Sequence, residues 1–213
     1  EEGGGLVERG RWAADLTAMG YEKRGRLGAD GVWLGARLGR EAWRLHGLDG
    51  LSDKQVGYVM QTRQREQTGS EFLSLEQHRV VAISVTMRSR EGFRVWSIGE
   101  SDATEAELVR RFFEGIEKFS PTLVSWNGSG FDLPVLHYRA MRHSIQAPRY
   151  WETGDEDQSF RWNNYLSRFH WRHVDLMDVI SGYQGRGRVG LDRMAQLLGY
   201  PGKLGMSGEG VWD

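Results

Sequence analysis

Residues 122–140 constrain this chain more than any other stretch. Thr122 to Trp126 is a strand-like apolar run, and Asn127-Gly128-Ser129-Gly130 is a polar, glycine-rich turn. Leu133, Leu136 and Ala140 then repeat at helical spacing, and Pro134 is tolerated in a helix's first turn. A strand that feeds a helix through so short a turn needs other strands to pair with and leaves its helix to cover the sheet. Asp132 falls where the strand has ended and the helix begins. That position suits a helix-capping carboxylate, and it equally suits a functional one.

The remaining pattern fits an α/β chain. Residues 1–44 hold ten glycines and seven arginines with no sustained apolar period, so they read as poorly structured or foreign to the fold. Residues 45–213 read as one domain. Leu51-Ser52-Asp53 opens a helix to about Arg65, with Val56, Val59 and Met60 on one side. Val80–Met87 and Gly92–Ile98 read as strands of a hairpin. A helix from about Thr104 to Phe119 follows, with Leu108, Phe112, Ile116 and Phe119 on one face and an Asp102/Glu105 capping-box spacing. Val174–Ile180 reads as a strand and Leu191–Leu198 as a short helix capped by Gly199. The order implies a mixed sheet flanked by helices.

Composition narrows the function classes. A 213-residue chain with a net charge of −1 carries no global basic field, which argues against repressor-like or histone-like binding. There is no cysteine, hence no disulfide framework, zinc thiolate or catalytic thiol. Neither a leader pattern nor an apolar run of about 20 residues is present, so a soluble, cytoplasmic chain without membrane contact is expected.

Residues 133–173 hold eight of the chain's 24 aromatics, six arginines and four histidines. That composition suits either a surface binding phosphates and stacked bases or core packing under a long loop. His170, His173, Asp175 and Asp178 match no standard metal spacing, and a polar strand edge explains them better. Gly185-x-Gly187-x-x-Gly190 has the form of a dinucleotide fingerprint but does not close a first strand–helix turn, so it reads as a basic loop bearing Arg186 and Arg188.

The order Asn127, three residues, Phe131-Asp132 is the form of the second motif of the DEDD 3′–5′ exonucleases. From Arg44 to Asp213 the chain resembles predicted bacterial 3′–5′ exonucleases related to the exonuclease domain of family B DNA polymerases. The likeness rests on Arg44 to Ser52, His78 to Ser84, Ser125 to Arg139, Asn163 to Arg168, His173 to Val179 and Pro201-Gly202-Lys203.

The resemblance implies a ribonuclease H-like α/β fold, incomplete at both ends, and hydrolysis of terminal phosphodiesters with two Mg²⁺ or Mn²⁺ ions. Such hard cations call for carboxylate oxygens. It makes Asp132 a catalytic metal ligand and puts Trp126, Asn127, Phe131 and Asp175 at the substrate, a single-stranded or 3′-terminal nucleic acid. Two departures matter. Where an Asp-x-Glu strand belongs, Ala29-Asp30-Gly31-Val32 offers only Asp30 as a ligand, while Asp15-Leu16-Thr17 also lacks the glutamate and lies far upstream. The chain stops at Asp213 before a Tyr-x-x-x-Asp helix, and the glycine- and arginine-rich N-terminus suggests a misplaced start, a frameshift or a truncated product. Two further readings stand beside the exonuclease: an inactive nucleic-acid-binding remnant, and a nucleotide binder using the Gly185–Gly190 loop.

Overall fold

In the computed structural model, residues 12–13, 47–89, 92–100 and 102–201 are described. Strand β1 is Trp12–Ala13, β2 is Ser84–Ser89 and β3 is Gly92–Ser97. The three form an antiparallel sheet in that order, with Trp12 opposite Met87 and Val85 opposite Trp96. β4 (Leu123–Ser125) and β5 (His173–Asp175) pair in parallel, Ser125 opposite Asp175. β1 also lies against β4. Helices flank these strands: α1 (Asp53–Thr68), α2 (Glu105–Phe119), α3 (Asp132–Arg142), α4 (Pro148–Trp151), α5 (Leu176–Ile180) and α6 (Leu191–Leu197). This is the mixed α/β architecture expected. Among the described residues no helix is long and apolar enough to cross a membrane.

The core explains the strongest helix. Leu108, Val109, Phe112, Phe113 and Ile116 of α2 are buried against Val80, Ile83, Val85, Leu123, Leu133 and Leu136. Each such side chain contributes about 1.5–3 kcal/mol on burial. A smaller cluster, Leu48, Val56 and Met60, holds α1. Ser52 and Gln55 cap α1 reciprocally, side chain to backbone in both directions.

Three local expectations are corrected. α2 is capped by Thr104, whose hydroxyl accepts from the Glu107 amide, and not by an Asp102/Glu105 box. Glu105 instead turns into the core. There its carboxylate takes two hydrogen bonds from Arg139 of α3, a third from the Val80 amide, and contacts His143. The run Val174–Ile180 is not one strand. The Asp175 carboxylate accepts from the Met177 amide and starts α5 at Leu176. A short apolar run does not distinguish strand from buried helix by itself, and the cap decides it. Finally, ladder pairing in the first hairpin strand begins at Ser84, although Val80 and Ile83 are fully buried.

Within the segment read as foreign, Trp12–Ala13 joins the sheet as β1. Asp30 lies outside the described residues. Asp15 likewise lies outside the described residues.

Candidate functional site

The site is built on the turn that leaves β4. Asn127 adopts φ 64°, a left-handed conformation that Asn tolerates better than most residues. The carboxylate of Asp175, on the neighbouring strand, reaches under that turn. One oxygen accepts from the Asn127 amide at 2.8 Å and the Met177 amide at 3.2 Å, and the other from the Ser129 amide at 3.0 Å. Space is equally tight. A Cβ on Gly128 would sit 2.3 Å from Ser125 Oγ, and one on Gly130 would sit 2.6 Å from Asn127 Oδ1. The two glycines therefore let the turn close over its own side chains.

Asp132 is the first residue of α3 and is only 2% exposed. Beside it, the half-buried Phe131 ring meets His78 edge-on at 5.3 Å and Phe72 at 5.6 Å. Phe72 is 57% exposed, so this aromatic trio runs from the interior to the surface. Trp126 is buried, and its indole N–H donates to the Val189 carbonyl at 3.0 Å, tying the Gly185–Gly190 loop to the end of β4. Ser129 Oγ is buried without a hydrogen-bond partner. Such an unmade bond costs about 1–3 kcal/mol and is the kind of exception that collects at functional sites.

The nearby histidines are held neutral. Burial lowers His173 to about 4 against the opposing pull of Asp175 and Asp178, and its Nε2 lies 2.8 Å from Ser125 Oγ. Burial, and then the proximity of His173, likewise lower His137 to about 4.

The sequence candidates thus fall into two sets. Trp126, Asn127, Phe131, Asp132 and Asp175 come together at one turn. His170, His173, Asp175 and Asp178 do not converge. His170 Nδ1 accepts from the Asn164 amide, Asp175 is engaged by three amides, and Asp178 by the guanidinium groups of Arg168 and Arg188. Among the described residues no three His, Asp or Glu side chains gather where a metal ion would bind them. These residues therefore do not by themselves fit a two-ion centre. The aromatic-rich stretch also divides. Tyr150, Phe160 and Tyr165 are core, while Trp162, Phe169 and Trp171 are exposed. The Gly185–Gly187 turn is a single 3-10 turn following a helix, not a strand, so it lacks the strand–turn–helix frame of a dinucleotide site.

Sequence reading missed the roles of Glu105 and Asp178. Their partners lie 34 residues away (Arg139) and 10 residues away on either side (Arg168, Arg188), and no local spacing announces them.

Residues 70–213 match a family described as predicted 3′–5′ exonucleases related to the exonuclease domain of the polymerase PolB. A DNA polymerase 1 of Sulfurisphaera ohwakuensis is 42% identical over 45 residues, 21% of this chain and 5% of that protein. The family B DNA polymerase of the hyperthermophilic archaeon Pyrobaculum calidifontis superposes on 66% of this chain and 18% of its own, at 19% identity and a TM-score of 0.42. The chain thus corresponds to a small part of either polymerase.

Proposed function

Because the chain belongs to the family of predicted 3′–5′ exonucleases related to the PolB exonuclease domain, with its ribonuclease H-like α/β fold, we propose that the β4–α3 turn receives the 3′ end of a nucleic-acid strand. The supporting observation is that one turn, braced by the Asp175 carboxylate, carries Asn127, Phe131 and the buried Asp132. Asp132 is the carboxylate at the scissile phosphate. Phe131, continuous with Phe72 and His78, is the apolar wall for the terminal nucleoside. Asp175 positions the turn, its oxygens accepting from the Asn127, Ser129 and Met177 amides. When bound, divalent ions would supply the activated water and stabilise the leaving 3′-oxygen. Asp30, the second ligand that the family resemblance suggests, lies outside the described residues.

A second reading, a binder that does not cleave, is favoured by one observation: among the described residues no three His, Asp or Glu side chains gather where a metal ion would bind them. A single-stranded oligonucleotide labelled at its 5′ end, incubated with Mn²⁺ or Mg²⁺, separates the two. The exonuclease shortens it stepwise from the 3′ end, and Asp132→Asn lowers that rate by roughly 100-fold or more, the scale of several kcal/mol of lost charge stabilisation. Shortening that is unchanged in Asp132→Asn sinks the assignment. Binding with no shortening establishes the binder.

A further inference from the structure

Beyond the turn, a second group of side chains has no part in the site just described. Asp178, on α5, is 1% exposed, and each of its carboxylate oxygens takes one hydrogen bond from an arginine. Arg168 Nη2 donates to Oδ2 at 2.8 Å and Arg188 Nη2 to Oδ1 at 2.5 Å. The two arginine side chains remain 42% and 39% exposed. One buried carboxylate therefore anchors two guanidiniums and leaves an outward charge of about +1 at a fixed place, with the planar fork that suits phosphate oxygens.

Aromatic rings stand beside it. The Arg168 guanidinium lies 5.4 Å from the Tyr183 ring and 5.7 Å from that of Phe169, and those rings are 4.9 Å apart. Phe169 is 64% exposed. Tyr183 holds φ 62°, a left-handed conformation costly for an aromatic residue. Between Gln158 and Leu191 the acids are Asp175 and Asp178, both buried, whereas the arginines are Arg161, Arg168, Arg172, Arg186 and Arg188. The charge presented by this stretch is accordingly positive. The surface is also joined to the turn: α5 is capped by Asp175, and the loop bearing Arg188 is pinned by Trp126 through Val189.

We propose that Arg168, Arg188 and the Phe169–Tyr183 pair form a docking surface for single-stranded nucleic acid. Phosphates lie against the two guanidiniums and a base stacks on Phe169. Resting on the end-binding reading of the β4–α3 turn, it assigns this surface to the nucleotides behind the terminal one. Arginine forks beside exposed rings bind single strands with little sequence preference.

The test measures binding of a fluorescein-labelled single-stranded oligodeoxynucleotide to the full chain by anisotropy, in EDTA, across a range of salt. Phe169→Ala weakens binding about tenfold, and Phe169→Trp restores it. Arg188→Gln lowers the slope of log K against log salt by roughly 0.7, one single-strand phosphate contact, while Phe169→Ala leaves that slope unchanged. Melting temperatures are taken for every variant. Variants that melt lower yet bind with wild-type affinity and slope, or a wild-type chain that does not bind, overturn the docking surface. Altered binding with no 3′ shortening in Mn²⁺ keeps the surface and removes hydrolysis. Shortening that needs Asp132 while Phe169→Ala and Arg188→Gln bind normally keeps the turn and removes the surface.

Discussion

Asp132 draws its interest from the backbone that carries it, and the neighbouring glycines show how closely that backbone is fitted. Gly128 has Ser125 Oγ where a methyl group would go, and Ser125 is itself fixed by His173. Neither Ser125 nor His173 can retreat, since both are buried. Gly128→Ala is therefore expected to cost about 1–3 kcal/mol, the usual price of overpacking, measurable by urea denaturation. Stability equal to wild type would show that the turn can open without loss. Asn127→Val would strain φ, because a β-branched residue is a poor occupant of the left-handed region, and would remove the side-chain amide that lies against Gly130.

Helices α2 and α3 are held together by more than apolar packing. Glu105 and Arg139 pair in a site where both are nearly dry, their side chains 6% and 11% exposed. Burial by itself would raise the Glu105 carboxyl, but hydrogen bonds from Arg139 and His143 outweigh it and hold the group below its ordinary value. Removing one partner leaves a buried charge uncompensated. Arg139→Met is expected to destabilise the fold by about 3–5 kcal/mol, whereas replacing both, Glu105→Leu with Arg139→Met, recovers most of that loss. Additive losses in such a double-mutant cycle would show that the pair is not coupled. Since α3 begins at Asp132, this pair also sets where the site's carboxylate stands relative to the core.

Taken as a whole, the molecule folds around three neutral histidines. His78, His137 and His173 are each lowered to about 4, chiefly by burial. In the unfolded chain each titrates near 6.5, so between those values the unfolded state binds more protons. Their contribution is thus complete above about pH 6.5 and lost as pH falls toward 4. The slope is at most about 4 kcal/mol per pH unit if all three act together. Urea midpoints measured from pH 7.5 to 4.5 should fall steeply below 6.5, and His137→Gln should remove about one proton from the uptake on unfolding. A flat profile across that window would mean the rings are hydrated in the folded protein. Glu105 adds an acid-side loss only below its ordinary range, because its folded value is depressed.

How far could these features be read from residue order? The β4–α3 turn could be read closely, because strand period, glycine-rich turn and helical spacing are all local, and Asp132 follows from where they meet. α2 announced most of its buried face for the same reason: Leu108, Phe112 and Ile116 recur at the period of the helix that buries them, although Phe119, expected on the same face, is exposed at the helix end. The start of α5 could not be read, since whether Leu176 continues a strand depends on a carboxylate already engaged with Asn127 and Ser129 across a parallel ladder. Nor could the partition of the aromatics, because Tyr165 enters the core through a hydrogen bond to Pro121 whereas Trp162 stays outside. Local order sets which element forms. Burial and the pairing of distant charges, as in Glu105 with Arg139 and Asp178 with Arg168 and Arg188, arise only when elements far apart in the chain exclude water together.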